Sequence, residues 1–154
     1  MPNQRFEGGT GGGPRGCDAL KYALGGITCP DVLMAWEIEY TDEFGDWWAT
    51  LTETEQEDVD AYVQRLEARG PNLPFPHSSG INGSRHDHMR ELRVQSHGNP
   101  FRVFYAFDPR RTAILLIGGD KTGNDRFYEE MIPVADDLYD QHIEALTAEG
   151  LIRT

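Results

Sequence analysis

No stretch of the 154-residue chain approaches the roughly 18 consecutive apolar residues of a membrane span. The longest apolar run, Thr112 to Ile117 with its neighbours, has the length of a strand. The opening MPNQRFEGGTGGG lacks a basic-then-apolar pattern, so it does not read as a secretion signal, and the chain reads as cytoplasmic. Cysteine is scarce: Cys17 and Cys29 make no disulfide framework and would stay reduced in that compartment. His86 and His88 are the one close pair with ligand spacing and no second pair accompanies them, so neither a metal nor any other cofactor is expected. A G-x-S-x-G turn is absent, which leaves a hydrolase triad unsupported. Gly118-Gly119-Asp120-Lys121-Thr122-Gly123 fails the spacing of a P-loop. No internal repeat is visible.

Basic residues are also in short supply, 14 Lys and Arg against 26 Asp and Glu, for a net charge of −12. Such a chain as a whole repels phosphate. The distribution of charge reverses this locally. Residues 34–84 carry two basic and eleven acidic groups, and residues 127–154 carry one and seven. Residues 85–126 carry eight and five, net +3, with His86, His88 and His97 among them. The one positive stretch of an acidic chain is a candidate site for an anionic ligand.

The first 33 residues hold eight of the 17 glycines, and clusters such as GGTGGGPRG bury too little surface to order themselves. Residues 1–33 are therefore read as a flexible extension, or as a start placed too early at Met1. Their deletion is expected to leave stability nearly unchanged. From Met34 the pattern becomes regular. Trp36, Ile38 and Tyr40 alternate with Glu37 and Glu39 as a half-buried strand. Thr41 and Asp42 cap a short helix with Phe44, Trp47, Trp48 and Leu51 on one stripe. Thr52 and Glu55 form a capping box for a second helix, which Gly70-Pro71 stops. After a loop to Ser84 come strands around Leu92–Val94, Phe101–Phe107 and Thr112–Ile117, with Gly118-Gly119 ending the sheet. A closing helix is expected from about Ile132, with Pro133 in its first turn. The order β-α-α-β-β-β-α is an α+β fold: a small antiparallel sheet with two N-terminal helices on one face, and a C-terminal helix packed there as well.

A two-residue turn at His97-Gly98 fixes the register of the first hairpin. Val94 then pairs with Phe101, Leu92 with Val103, and Arg93 with Arg102. The last pair sets two guanidinium groups opposite each other, which destabilises a sheet by up to about 1 kcal/mol. Either a bound anion such as phosphate or a carboxylate such as Glu91 offsets the repulsion; the geometry favours the ligand. Lys121, just beyond the third strand, is within reach of the same place or is a solvated turn lysine. The segment from Arg85 to Arg90 brings two arginines, His86 and His88 to the start of the first strand of that hairpin. The histidines are candidates for acid–base work or RNA contact.

These residues carry a resemblance. The segments EFGDWWATL, INGSRHDHMRELRVQSHGNPFRVFYAFDPRRTAILLIGGDKTG and FYEEMIPVADDLYDQHIEAL are similar to the RelE/ParE superfamily of type II toxin–antitoxin toxins, in its HigB-like branch. It spans residues 34–147, leaving 148–154 as a C-terminal tail. Its most specific parts are Glu91-Leu92-Arg93, Arg102-Val103, the strand leading to Lys121-Thr122, and Ile132-Pro133-x-Ala135. The resemblance implies a RelE-like fold, an mRNA interferase cutting message in the ribosomal A site, and a small helix-turn-helix antitoxin as partner. Arg93, Arg102 and Lys121 match the family's basic positions. Metal-independent cleavage through the 2′-hydroxyl assigns Arg93 and Arg102 to charge stabilisation and Lys121 to phosphate contact or proton donation. Base candidates are His88, His86 and Glu91, in that order. Arg85, His86 and Arg90 are expected as RNA contacts, and Tyr128 is expected to stack on a base. The alternatives are a non-catalytic protein of the same fold that binds an antitoxin or RNA, and a ParE-like gyrase poison.

Overall fold

The structure is a computed structural model and describes residues 4–6 and 35–152. Cys17, Cys29 and the glycine-rich stretch lie outside the described residues. The capping signals hold. In α1 (Asp42–Ala49) the Thr41 hydroxyl accepts from the Phe44 N–H at 3.0 Å, and in α2 (Glu53–Arg69) Thr52 and Glu55 cap each other reciprocally. Caps of this kind contribute about 1 kcal/mol each. The hairpin joins β4 (Arg90–Ser96) to β5 (Asn99–Phe107) through His97 at φ 51° and Gly98 at φ 83°. Positive φ at both central residues matches the right-handed strand twist. The register is as expected: Val94 opposite Phe101, Leu92 opposite Val103, Arg93 opposite Arg102.

Two short strands were not foreseen: β1 (Gln4–Arg5) and β3 (Ser78–Gly80). With β2 (Ile38–Tyr40) and β6 (Ala113–Asp120) they complete a six-stranded sheet in the order β1-β2-β6-β5-β4-β3. It is mostly antiparallel rather than wholly so, because β2 runs parallel to β6. The two helices between β2 and the hairpin supply the long crossover that a parallel pair needs.

The expected placement of all helices on one face is corrected. Alternate residues of the central strands feed two cores. Leu92, Val94, Val103, Tyr105 and Leu115 pack with Phe44, Val59, Val63 and Leu66 from α1 and α2. Phe104, Ala106, Ile114 and Leu116 pack on the opposite side with Phe127, Ile132, Ala135 and Leu138 of α3 (Phe127–Ala148). Central strands buried on both faces lose the alternation that marks a half-exposed strand, as in Ala113-Ile114-Leu115-Leu116. Helix α3 also starts earlier than expected, leaving Pro133 inside it. Pro133 leaves the Glu129 carbonyl without its helical donor at an exposed part of the helix, where Glu129 and Pro133 are both exposed residues, while burial of Phe127 holds the extra turn.

The glycines do not end the sheet. β6 runs through Gly118 and Gly119 because each seats an aromatic ring. A Cβ on Gly118 would lie 2.3 Å from the Trp47 ring, and one on Gly119 would lie 2.9 Å from the Phe127 ring on the other face. At the N-terminus, β1 pairs with β2 and Phe6 is buried among Tyr40, Phe44 and Trp48, with ring centroids 5.2 to 6.1 Å away.

Candidate functional site

The α3 face of the sheet carries a charged centre where β4, β5 and β6 run side by side. Strand alternation puts Glu91 and Arg93 of β4 on this face, with Arg102 opposite Arg93 and Gly119 of β6 opposite Arg102. Glu91 and Arg102 are each only 3% exposed. The Glu91 carboxylate accepts from the Arg93 guanidinium at 3.1 Å and from the Tyr128 hydroxyl at 2.7 Å, and lies 3.7 Å from Arg102 Nε. A single buried carboxylate thus stands among two guanidinium groups. Lys121, anchored by its N–H to the Pro100 carbonyl at 3.0 Å, places Nζ 5.4 Å from the centre of the Tyr128 ring. Burial and the adjacent Glu91 charge push the Tyr128 phenol up, with Arg102 opposing.

Arg102 is the most telling member. One of its terminal N–H groups donates to the Phe101 carbonyl at 3.0 Å, but its buried Nε makes no hydrogen bond. A buried cationic donor without an acceptor is costly, and such groups concentrate where a ligand or developing charge completes them. The centre holds three cations against one carboxylate, in a chain of net charge −12. Both offsets considered for the Arg pair are therefore relevant: Glu91 does neutralise in part, and a positive surplus remains.

Arg93, Arg102, Lys121, Glu91 and Tyr128 come together; the other expected site residues do not join them. His88 Nε2 lies 3.1 Å from the Tyr139 hydroxyl and His86 Nε2 lies 2.9 Å from Asp140. Those partners sit eleven or more residues beyond Tyr128, about 16 Å further along α3. Burial, then the neighbouring His86, hold the His88 imidazole below its ordinary value. Arg90 points to the opposite face, donating to Ser78 Oγ at 3.0 Å, which in turn lies 2.6 Å from the Tyr105 hydroxyl. Arg85 is spent on Asp137 and Asp140 of α3. It does share with Tyr128 a groove of about 440 Å³ between the 82–85 loop and α3.

Sequence reasoning missed a second charged cluster. At the far end of β5, about 20 Å from Arg102 by strand rise, the Asp108 carboxylate accepts from Arg110 and lies 2.8 Å from His142 Nε2. Arg110 also donates to Glu39. Burial pushes the Asp108 carboxyl up, but hydrogen bonds from His142 and Arg110 outweigh it and hold it below the usual carboxylate range. Nearby Tyr139 is pushed up to about 12, first by burial and then by Asp108 and Asp140. The cluster ties the β5–β6 turn to α3 and β2. His142 has no sequence neighbour to signal it; only the helix packing brings it to Asp108.

Residues 46–140, which include every member of the basic centre, match the family model of Gp49-like phage-derived proteins (DUF891). The chain belongs to this family. Among its relatives in Mycobacterium tuberculosis, the protein named "Putative toxin HigB2" is 39% identical over 99 residues, 63% of this chain and 49% of that protein. The protein named "Putative toxin HigB3" is 42% identical over 91 residues, 58% of this chain and 78% of that protein. The match thus spans about half the length of the first relative and over three quarters of the second. No solved structure matches the chain. Among the described residues the fold is α+β, with three α-helices and a six-stranded sheet, and no helix is long and apolar enough to cross a membrane.

Proposed function

We propose that this chain is the toxin of a type II toxin–antitoxin pair, a HigB-like member of the RelE/ParE superfamily that cleaves mRNA on the ribosome. Its toxin domain is residues 34–147, and its partner is a helix-turn-helix antitoxin. The relatives named as toxins support the first part of this reading. The observation that carries the chemistry is the buried Arg102 opposite Arg93, with an Nε that faces Glu91 at 3.7 Å but makes no hydrogen bond. Cleavage moves the 2′-hydroxyl proton to a base as the 2′-oxygen attacks the adjacent phosphorus. The bond from phosphorus to the 5′-oxygen breaks, and that oxygen takes a proton, leaving a cyclic phosphate and a 5′-hydroxyl. Arg102 and Arg93 meet the charge that grows on the phosphoryl oxygens. Of the three base candidates only Glu91 lies beside the Arg pair, so Glu91 with Tyr128 handles the 2′ proton and Lys121 supplies the proton of the leaving oxygen.

Induction in a bacterial host is expected to stop amino-acid incorporation while DNA synthesis continues, with new 5′ ends appearing inside translated messages. Normal incorporation with soluble protein present overturns the interferase reading. Arrest of DNA synthesis first, with messages intact, replaces it with a gyrase poison.

A further inference from the structure

Phe75 is the most exposed large apolar side chain among the described residues, at 68%. It does not stand alone on the surface: the Arg93 guanidinium carbon lies 5.2 Å from the centre of its ring. The ring is held there by its loop. Pro74 and Pro76 flank it, and the Pro74 carbonyl accepts from both His77 and Ser78 N–H groups at 3.1 Å. The His77 carbonyl in turn accepts from the Arg93 N–H at 2.9 Å, stitching the loop to β4 beside the Arg pair. The result is an aromatic face held next to the Arg93 guanidinium and otherwise open to solvent.

Tyr128, expected to stack on a base, is poorly placed to do so. Its hydroxyl is bound to Glu91, the edges of Phe104 and Phe127 meet its ring, and Lys121 sits over it. Resting on the function proposed above, we infer that Phe75 is the platform on which the single-stranded RNA substrate stacks a base, adjacent to the phosphate held by Arg93. Stacking needs only a π-face, so Phe75 tightens binding without selecting one base by hydrogen bonds. The Arg93 guanidinium caps one side of the ring, leaving the other side for the nucleobase.

The test uses the full chain and an mRNA carrying 2-aminopurine at successive positions, presented both free and on a programmed ribosome. A 2′-O-methyl group at each labelled position blocks cleavage. Wild-type protein is expected to quench one position selectively. Phe75→Ala is expected to abolish that quench and weaken binding about 5- to 150-fold, the loss of one stacked base. Phe75→Trp is expected to restore both, and Phe75→Leu neither, with melting temperatures unchanged for all three. If Phe75→Leu rescues as well as Phe75→Trp, or Phe75→Ala binds like wild type, the inference fails while the function stands. Loss of antitoxin binding with RNA binding intact makes Phe75 a protein contact and likewise overturns it. Wild-type protein that binds neither free nor ribosomal RNA removes the function and the inference together.

Discussion

Replacing Arg102 by methionine removes a charge but little volume, and the structure sets the expected balance. The guanidinium is 3% exposed and sits 3.7 Å from Glu91, an attraction worth about 4 kcal/mol at an effective dielectric constant near 20. Against it stand a desolvation cost of several kcal/mol and repulsion from Arg93 across the hairpin. Without Arg102, Glu91 still keeps Arg93 at 3.1 Å and Tyr128 at 2.7 Å, so no charge is left bare. Arg102→Met is therefore expected to stay within about 1 kcal/mol of wild-type stability or to exceed it. Its activity should fall roughly 10²- to 10³-fold, the usual loss for one electrostatic donor. Glu91→Gln is the opposite case: two opposed guanidinium groups lose their shared carboxylate, at a cost of about 3–5 kcal/mol. Even 3 kcal/mol should lower the melting temperature by roughly 10 °C in a domain of this size. Thermal melts and translation inhibition on the same preparations decide the matter. An Arg102→Met protein as destabilised as Glu91→Gln, with activity per folded molecule retained, would refute a functional role for the Arg pair.

Composition alone makes residues 1–33 dispensable for stability, but burial of Phe6 between three aromatic rings reverses that expectation: Phe6→Ala, and deletion of residues 1–33, should each cost about 3–5 kcal/mol, which urea denaturation reads directly. Deletion without loss would show that the β1–β2 pairing contributes nothing. Gly118→Ala should destabilise by at least about 1–3 kcal/mol and shift tryptophan emission, since its methyl group collides with Trp47. Asp108 has a folded-state carboxyl below its ordinary value, so its stabilisation is complete above about pH 4 and is lost as pH falls through the lowered folded-state value. Asp108→Asn should therefore flatten the acid limb of a stability-versus-pH curve, and an unchanged limb would rule this group out as its source.

Local signals in the sequence translate directly into structure where the physics is local. Thr41, Thr52 with Glu55, and His97-Gly98 each specify a cap or a turn from residues at most three apart, and the hairpin register follows from the turn. The Arg93–Arg102 pairing was legible for that reason. The burial of both sheet faces was not, because a run such as Ala113–Leu116 reads as a short apolar strand whichever side its helices take. β1 and β3 are two and three residues long, too short for a periodic signal, and exist because β2 and β4 offer open edges. The histidines misled because nearness in sequence to Arg90 suggested nearness to the Arg pair. A strand turns adjacent residues to opposite faces, and α3 draws His86 and His88 to its far half instead.

The consecutive seats at Gly118 and Gly119 have a consequence for how sequences of this fold diverge. One residue of β6 is pressed by Trp47 from the first helical layer and the next by Phe127 from the last, two residues before Lys121. Helices from both layers are thereby indexed to one dipeptide, and neither glycine is free to vary without its ring. A side chain at 118 demands a smaller residue at 47, and one at 119 demands a smaller residue at 127. Divergent sequences should show these as two coupled pairs, exchanging bulk between strand and helix while the local volume stays constant.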